Sequence, residues 1–118
     1  IIRAAQEGIV FSLHYGLDVM KAAGVETKTI RAGEANMFLS PIFRNAFATL
    51  TGAVVELYNT DGAQGAARGA GYGAGIYSSL KEAFTGLKIV KEVEPDASKR
   101  DQYQNAYESW LEALKKYI

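Results

Sequence analysis

Gly62, Gly65, Gly69, Gly71, Gly73 and Gly75, half of the chain's 12 glycines, stand in one stretch, GAQGAARGAGYGAG. A glycine inside a helix costs roughly 1 kcal/mol against alanine. Such a segment is therefore either a flexible linker or a helix with a use for bare sides. Ala66, Ala67, Ala70 and Ala74 are strong helix formers, and Asp61 is placed to cap, so a helix is the better reading. Gly65, Gly69 and Gly73 stand four apart and share one helical side, which would let another backbone or a flat ligand come close. The run GAGYGA (69–74) also loosely matches the dinucleotide-binding fingerprint. That fingerprint needs its glycines in the turn between a strand and a helix, whereas residues 62–68 already read as helix. No G-x-x-x-x-G-K-[ST] phosphate loop occurs.

The segments around it alternate. Ile2, Ile9, Leu13, Leu17 and Met20 recur on one helical face, predicting a helix from about Arg3 to Ala23 that Gly24 closes in a left-handed position. Thr27 to Ala32 reads as a short strand with Ile30 its best-buried candidate, and Gly33 to Asn36 as a loop. Ser40-Pro41 is a helix start, since serine caps and proline gives up an N–H that has no partner there. Phe43, Ala46, Phe47 and Leu50 follow at helical spacing up to Gly52. Val54 to Tyr58 is a β-branched strand. Ser79 and Glu82 form a capping-box pair, Leu87 to Glu94 is extended, and Pro95 marks a break. A last helix from Asp96 or Ala97 carries the stripe Tyr103, Tyr107, Trp110, Leu114 and Tyr117, read as a packing face. The order α-β-α-β-α-α plus a C-terminal helix predicts an α/β layer with parallel strands. Two strong strands are too few for an independent sheet, so residues 1–118 read as a single partial domain. The start at Ile1, on the threshold of a helix, likewise reads as a piece of a longer protein.

Composition narrows the chemistry. Thirteen basic and thirteen acidic residues cancel, which disfavours a nucleic-acid partner. Without cysteine, and with His14 the one histidine, neither a thiol nucleophile nor a multi-histidine metal cage can be built. No apolar run is long enough to span a membrane. His14 and Asp18 stand four apart and read as a surface helix pair. The loop Gly33-Glu34-Ala35-Asn36 is the candidate ligand loop: it leaves a strand at its carboxyl end, where open α/β sheets bind ligands. Gly33 would admit a ligand to the backbone and Asn36 could hydrogen-bond it; a plain strand-to-helix loop fits the sequence equally well.

Several motifs, in order, resemble the carboxyl-terminal domain of FGGY-type carbohydrate kinases, the xylulokinase branch most of all. Arg3-Ala4-Ala5-Gln6-Glu7-Gly8-Ile9 is similar to that family's R-A-x-x-E-G-[IV] helix start. The strand, small-residue loop and helix from Ile30 to Leu50 follow as in the family. Asp61-Gly62-Ala63-Gln64-Gly65-Ala66-Ala67 looks like its E-x-x-A-x-G-A-A segment, with Gln64 where a larger apolar residue is usual. Tyr77 to Ala83, Pro95 and the Tyr-rich last helix complete the match.

The resemblance implies a partial actin-like, ribonuclease H-like ATPase domain on the ATP side of a two-lobed cytoplasmic sugar kinase, with ATP and Mg²⁺ as cofactors and a pentulose as substrate. Ala32-Gly33-Glu34-Ala35-Asn36 looks like the adenosine loop G-G-x-[AS], with Ala32 in place of its first glycine. Gly33, Ala35 and Asn36 are thus the implied cofactor-binding residues. The family's catalytic aspartate, most of its sugar site and its phosphate hairpins lie in parts that this chain lacks, so no catalytic residue and no metal ligand carries over. The implied partner is the missing amino-terminal lobe. The chain alone is expected to be inactive and to self-associate. The competing reading is a non-catalytic interaction module that uses the Gly/Ala-rich helix as its packing surface.

Overall fold

A computed structural model describes residues 1–118. Five helices, α1 (Ile2–Ala22), α2 (Pro41–Thr51), α3 (Gly62–Gly73), α4 (Leu80–Ala83) and α5 (Arg100–Tyr117), accompany three strands, β1 (Thr29–Gly33), β2 (Val54–Tyr58) and β3 (Ile89–Val93). Short 3₁₀ turns occupy Asn36–Leu39 and Ala97–Lys99. The strands form one sheet in the order β1-β2-β3. β1 runs parallel to β2, with Ile30 opposite Val55 and Gly33 opposite Tyr58, as a crossover through α2 requires. β3 is antiparallel to β2, with a register shift at Leu57/Tyr58. The expected parallel pair is present, but the layer is a mixed three-stranded sheet rather than a purely parallel one, because a third strand stands between α4 and the last helix. The extended run from Leu87 could pair because β2 would otherwise leave its second edge open.

One face of the sheet carries the core. Val55, Leu57 and Val93 point into it, and Phe43, Ala46, Phe47 and Leu50 of α2 cover them. Outside α2 lie Val10 and Phe11 of α1 and Tyr107 of α5. The Phe11, Tyr107 and Trp110 rings meet with centroids about 6 Å apart, a favourable aromatic spacing. The stripe of α5 does pack, through Tyr103, Tyr107, Trp110 and Leu111, while Tyr117 stands in solvent. On the opposite face Arg31 Nε donates to Glu56 Oε2 at 3.0 Å, and Tyr58 donates to the same oxygen at 3.1 Å.

The helix ends follow the residues placed there. The N–H of Gly24, at φ +90°, bonds the Lys21 carbonyl, and that of Val25 bonds Met20, closing α1 in a Schellman turn. Ser40 Oγ accepts from the Phe43 N–H and donates to Gln6 Oε1 at 2.6 Å, so the cap of α2 also ties it to α1. Asp61 caps α3 through the Gln64 N–H at 2.8 Å. Ser79 caps α4 through the Glu82 N–H, but the Glu82 carboxylate reaches back to Ser78 rather than to Ser79.

Two expectations about faces are overturned. On α1 the packed residues are Val10, Phe11 and, in part, Leu17, while Ile2, Ile9, Leu13 and Met20 remain exposed, Ile2 by 77%. The apolar belt of α1 is wider than one neighbour can bury, and α2 and α5 take the side next to the expected one. On α3 a Cβ added at Gly65, Gly69 or Gly73 would meet nothing within 4 Å, whereas one at Gly71 would lie 2.6 Å from Tyr77 Cε2. The close-packed glycine is Gly71, because the chain leaving α3 folds Tyr77 back over it.

Candidate ligand pocket at the carboxyl ends of β1 and β2

β1 ends at Gly33, and the backbone beyond it is tightly determined. A Cβ on Gly33 would overlap the Thr60 carbonyl of the β2 exit. Glycine is therefore required there for two strand exits to lie side by side. The Glu34 N–H donates to Tyr58 O at 2.8 Å, and the Ala35 N–H donates to Gly33 O at 2.8 Å. Asn36 then takes φ +53°, the one non-glycine residue in the left-handed region, a conformation asparagine tolerates better than most residues. The turn sends the chain into Asn36–Leu39 and on to the Ser40 cap.

A pocket of about 320 Å³ opens beside this turn. Gly33, Ala35 and Asn36 all line it, together with Ile9 and Leu13 of α1 and with Asp61, where α3 begins. The three residues implied by the sequence thus share one concavity. Ala32 lines it as well, and its methyl occupies space that a glycine would leave open. The wall is mostly apolar with a few polar groups at its rim, the usual make-up of a small-molecule site. The sequence places Ile9 and Leu13 on the apolar face of α1, and their position at this pocket comes from the structure alone. The width of the apolar belt on α1, which exceeds what one packing partner can cover, signals only that part of it stays uncovered. A second groove of about 430 Å³ flanks the same turn on the other side, between Arg31, Tyr58, Thr60, Phe84 and Leu87. Gly33 and Ala32 line both hollows.

His14 and Asp18 lie elsewhere; they pair as the spacing suggests, but only Asp18 is at the surface. The His14 side chain is 14% exposed and its Nε2 stands 3.8 Å from Asp18 Oδ1. Tyr107 packs edge-on to the imidazole, centroids 4.7 Å apart, and its hydroxyl donates to Asp18 Oδ2 at 2.7 Å. Burial pushes the imidazole below its ordinary range, against the pull of Asp18 and with help from Lys21 and Arg100. Burial and the bond to Asp18 push the Tyr107 phenol up. No three His, Asp or Glu side chains converge anywhere in the chain. No helix is long and apolar enough to cross a membrane.

No protein-family model matches the chain. It is 34% identical to the xylulose kinase of Haemophilus influenzae over 97% of its own length, which is 24% of that protein. Its fold matches the crystal structure of xylulose kinase from Rhodospirillum rubrum with a TM-score of 0.71 at 18% identity, covering 94% of this chain and 23% of that one. The α/β fold resembles that of part of this xylulose kinase. The chain is xylulose kinase-like over nearly its whole length, and it spans about a quarter of the relatives it matches. Neither comparison favours a Gly/Ala-helix interaction module.

Proposed function

We propose that this chain forms the adenosine side of the nucleotide site in a sugar kinase of the xylulose kinase kind. The full-length protein would transfer the γ-phosphoryl group of ATP to a hydroxyl of a pentulose. The observation that carries this reading is the pocket of about 320 Å³ lined by Gly33, Ala35 and Asn36 at the carboxyl end of β1, in a chain 34% identical to a xylulose kinase. ATP, when bound, supplies the phosphoryl group. The chain's own residues orient the nucleoside. Ile9 and Leu13 offer an apolar wall against which a planar base can lie, and the exposed Asn36 amide offers both a donor and an acceptor. Gly33 holds the two strand exits together so that this wall and rim face each other. The methyl of Ala32 narrows the pocket and sets how deep the nucleoside seats. Mg²⁺ finds no donor set of three side chains here, and its binding is assigned to the phosphates and to other parts of the full-length kinase.

Titrating ATP into the isotopically labelled chain tests the reading. The backbone signals of Gly33 and Asn36 should shift, with those of α5 unmoved. An absence of change at millimolar nucleotide would overturn the assignment of this pocket.

A further inference from the structure

A second pocket, of about 320 Å³, lies at the opposite end of β1, between the last turns of α1, the Val25–Lys28 connection, the end of α2 and the start of α5. Lys21, Lys28 and Arg100 all line it, against one carboxylate, Glu26. In a chain whose charges balance overall, this local excess of cations stands out. The chain's ion pairs are Arg3–Glu7, His14–Asp18 and Arg31–Glu56, so none of the three cations is neutralised. Nor are they needed as helix caps. The end of α1 is satisfied by the Gly24 and Val25 N–H groups, and that of α2 by the Gly52 N–H bonded to Ala48 O. His14 forms part of the wall, and its Nδ1 is buried without a hydrogen-bond partner.

We propose that this pocket binds a small tetrahedral oxyanion of the phosphate or sulfate type, held by Lys21, Lys28 and Arg100, and that His14 takes up a proton when the anion binds. Lys21, Lys28 and Arg100 are themselves exposed, but like charges gathered around one concavity focus an attractive field for an anion. The charged and titratable groups around the imidazole are Asp18 and Lys21 on α1, Glu26 and Lys28 in the connection, and Arg100 and Tyr107 on α5. Of these, Lys21 and Arg100 help hold the empty-site imidazole neutral. An anion between them cancels that repulsion and adds an attraction of its own, so the proton goes to the ring. The site is separate from the nucleotide-side pocket and does not depend on its assignment.

Because His14 is the one histidine, its titration can be followed by a single imidazole proton signal in the 118-residue chain. In sodium sulfate the His14 midpoint should lie above that in sodium chloride of equal ionic strength by about 1 pH unit, the size expected of a new opposite charge nearby. Arg100→Gln and Lys21→Gln should each remove most of that difference; all three cations are exposed, and Lys28→Gln keeps the comparison available should either of the others fail to fold. Equal midpoints in the two salts would overturn the proposal. So would a sulfate-dependent rise that all folded variants retain. Glycerol 3-phosphate distinguishes a free oxyanion from a phosphate ester: equal strength with sulfate assigns the site to the oxyanion alone, and tighter binding adds a polyol to its ligand.

Discussion

At the scale of single residues, Gly71 and His14 show how a neighbour far along the chain, or one turn beyond a helix, sets a residue's role. Gly71→Ala would put a methyl 2.6 Å from Tyr77 Cε2. The overpacking penalty of about 1–3 kcal/mol should outweigh the gain of roughly 1 kcal/mol in helix propensity. Gly65→Ala and Gly69→Ala meet open space and should stabilise by up to about 1 kcal/mol, through the same propensity and a less disordered unfolded chain. Denaturant midpoints for the three variants check this order, and adding Tyr77→Ala to Gly71→Ala should recover most of the loss. His14 adds a pH dependence. Its folded-state midpoint lies below the ordinary 6.5, so on acidification the unfolded chain takes up the proton first. The contribution of the neutral ring is complete above about pH 6.5 and is lost as pH falls through the lower folded midpoint. Unfolding free energies measured across that range should decline toward acid, and His14→Gln should flatten the decline. Sequence spacing placed His14 beside Asp18 correctly; that Tyr107 packs on the imidazole and donates to the Asp18 carboxylate came from a helix 89 residues away along the chain.

At the scale of elements, caps and breaks were legible and packing faces were not. Gly24, Ser40, Gly52 and Asp61 mark ends that the structure keeps, because a cap depends on the φ angle and hydrogen bonds of a few adjacent residues. Ser40 has a further role, since its hydroxyl donates to Gln6 of α1. Ser40→Ala should cost about 1–2 kcal/mol, and Gln6→Ala should cost less because the cap survives it. Thermal unfolding of the two variants and their double mutant measures the coupling; purely additive losses would show that the α1–α2 tie contributes nothing. The buried side of α1 escaped sequence reasoning because Val10 and Ile9 are both apolar and adjacent. Which of them is buried depends on where α5 lies.

The scale of the whole molecule decides function and association. A sheet of three strands, its core face covered by α1, α2 and α5, leaves β1 as an open edge and the stripe of Ile2, Ile9, Leu13 and Met20 exposed. Open edges and apolar stripes are association hazards. Sedimentation of the chain should therefore depend on concentration, and Leu13→Lys with Met20→Lys should reduce that dependence. Phe43 and Phe47 take no part in such association, because both are buried in the core. Purified alone, the chain should show no turnover of ATP with xylulose in a coupled assay. Phosphoryl transfer needs a positioned nucleophile and charge neutralisation around the phosphates, and the proposed role of the residues here stops at orienting the nucleoside.

The sequence by itself determined the helices, their caps, the two parallel strands and the loop from Gly33 to Asn36, since each depends on local φ preferences and on short-range periodicity. Motif order also carried the likeness to carbohydrate kinases. Tertiary structure alone decided the rest. The pairing of β3 with β2, the contact of Gly71 with Tyr77, the turning of Ile9 and Leu13 toward a pocket and the meeting of Lys21, Lys28 and Arg100 all join residues whose separation in sequence carries no signal. Such contacts are set by which apolar surfaces can be covered at once. That is a property of the assembled layers and of no single segment.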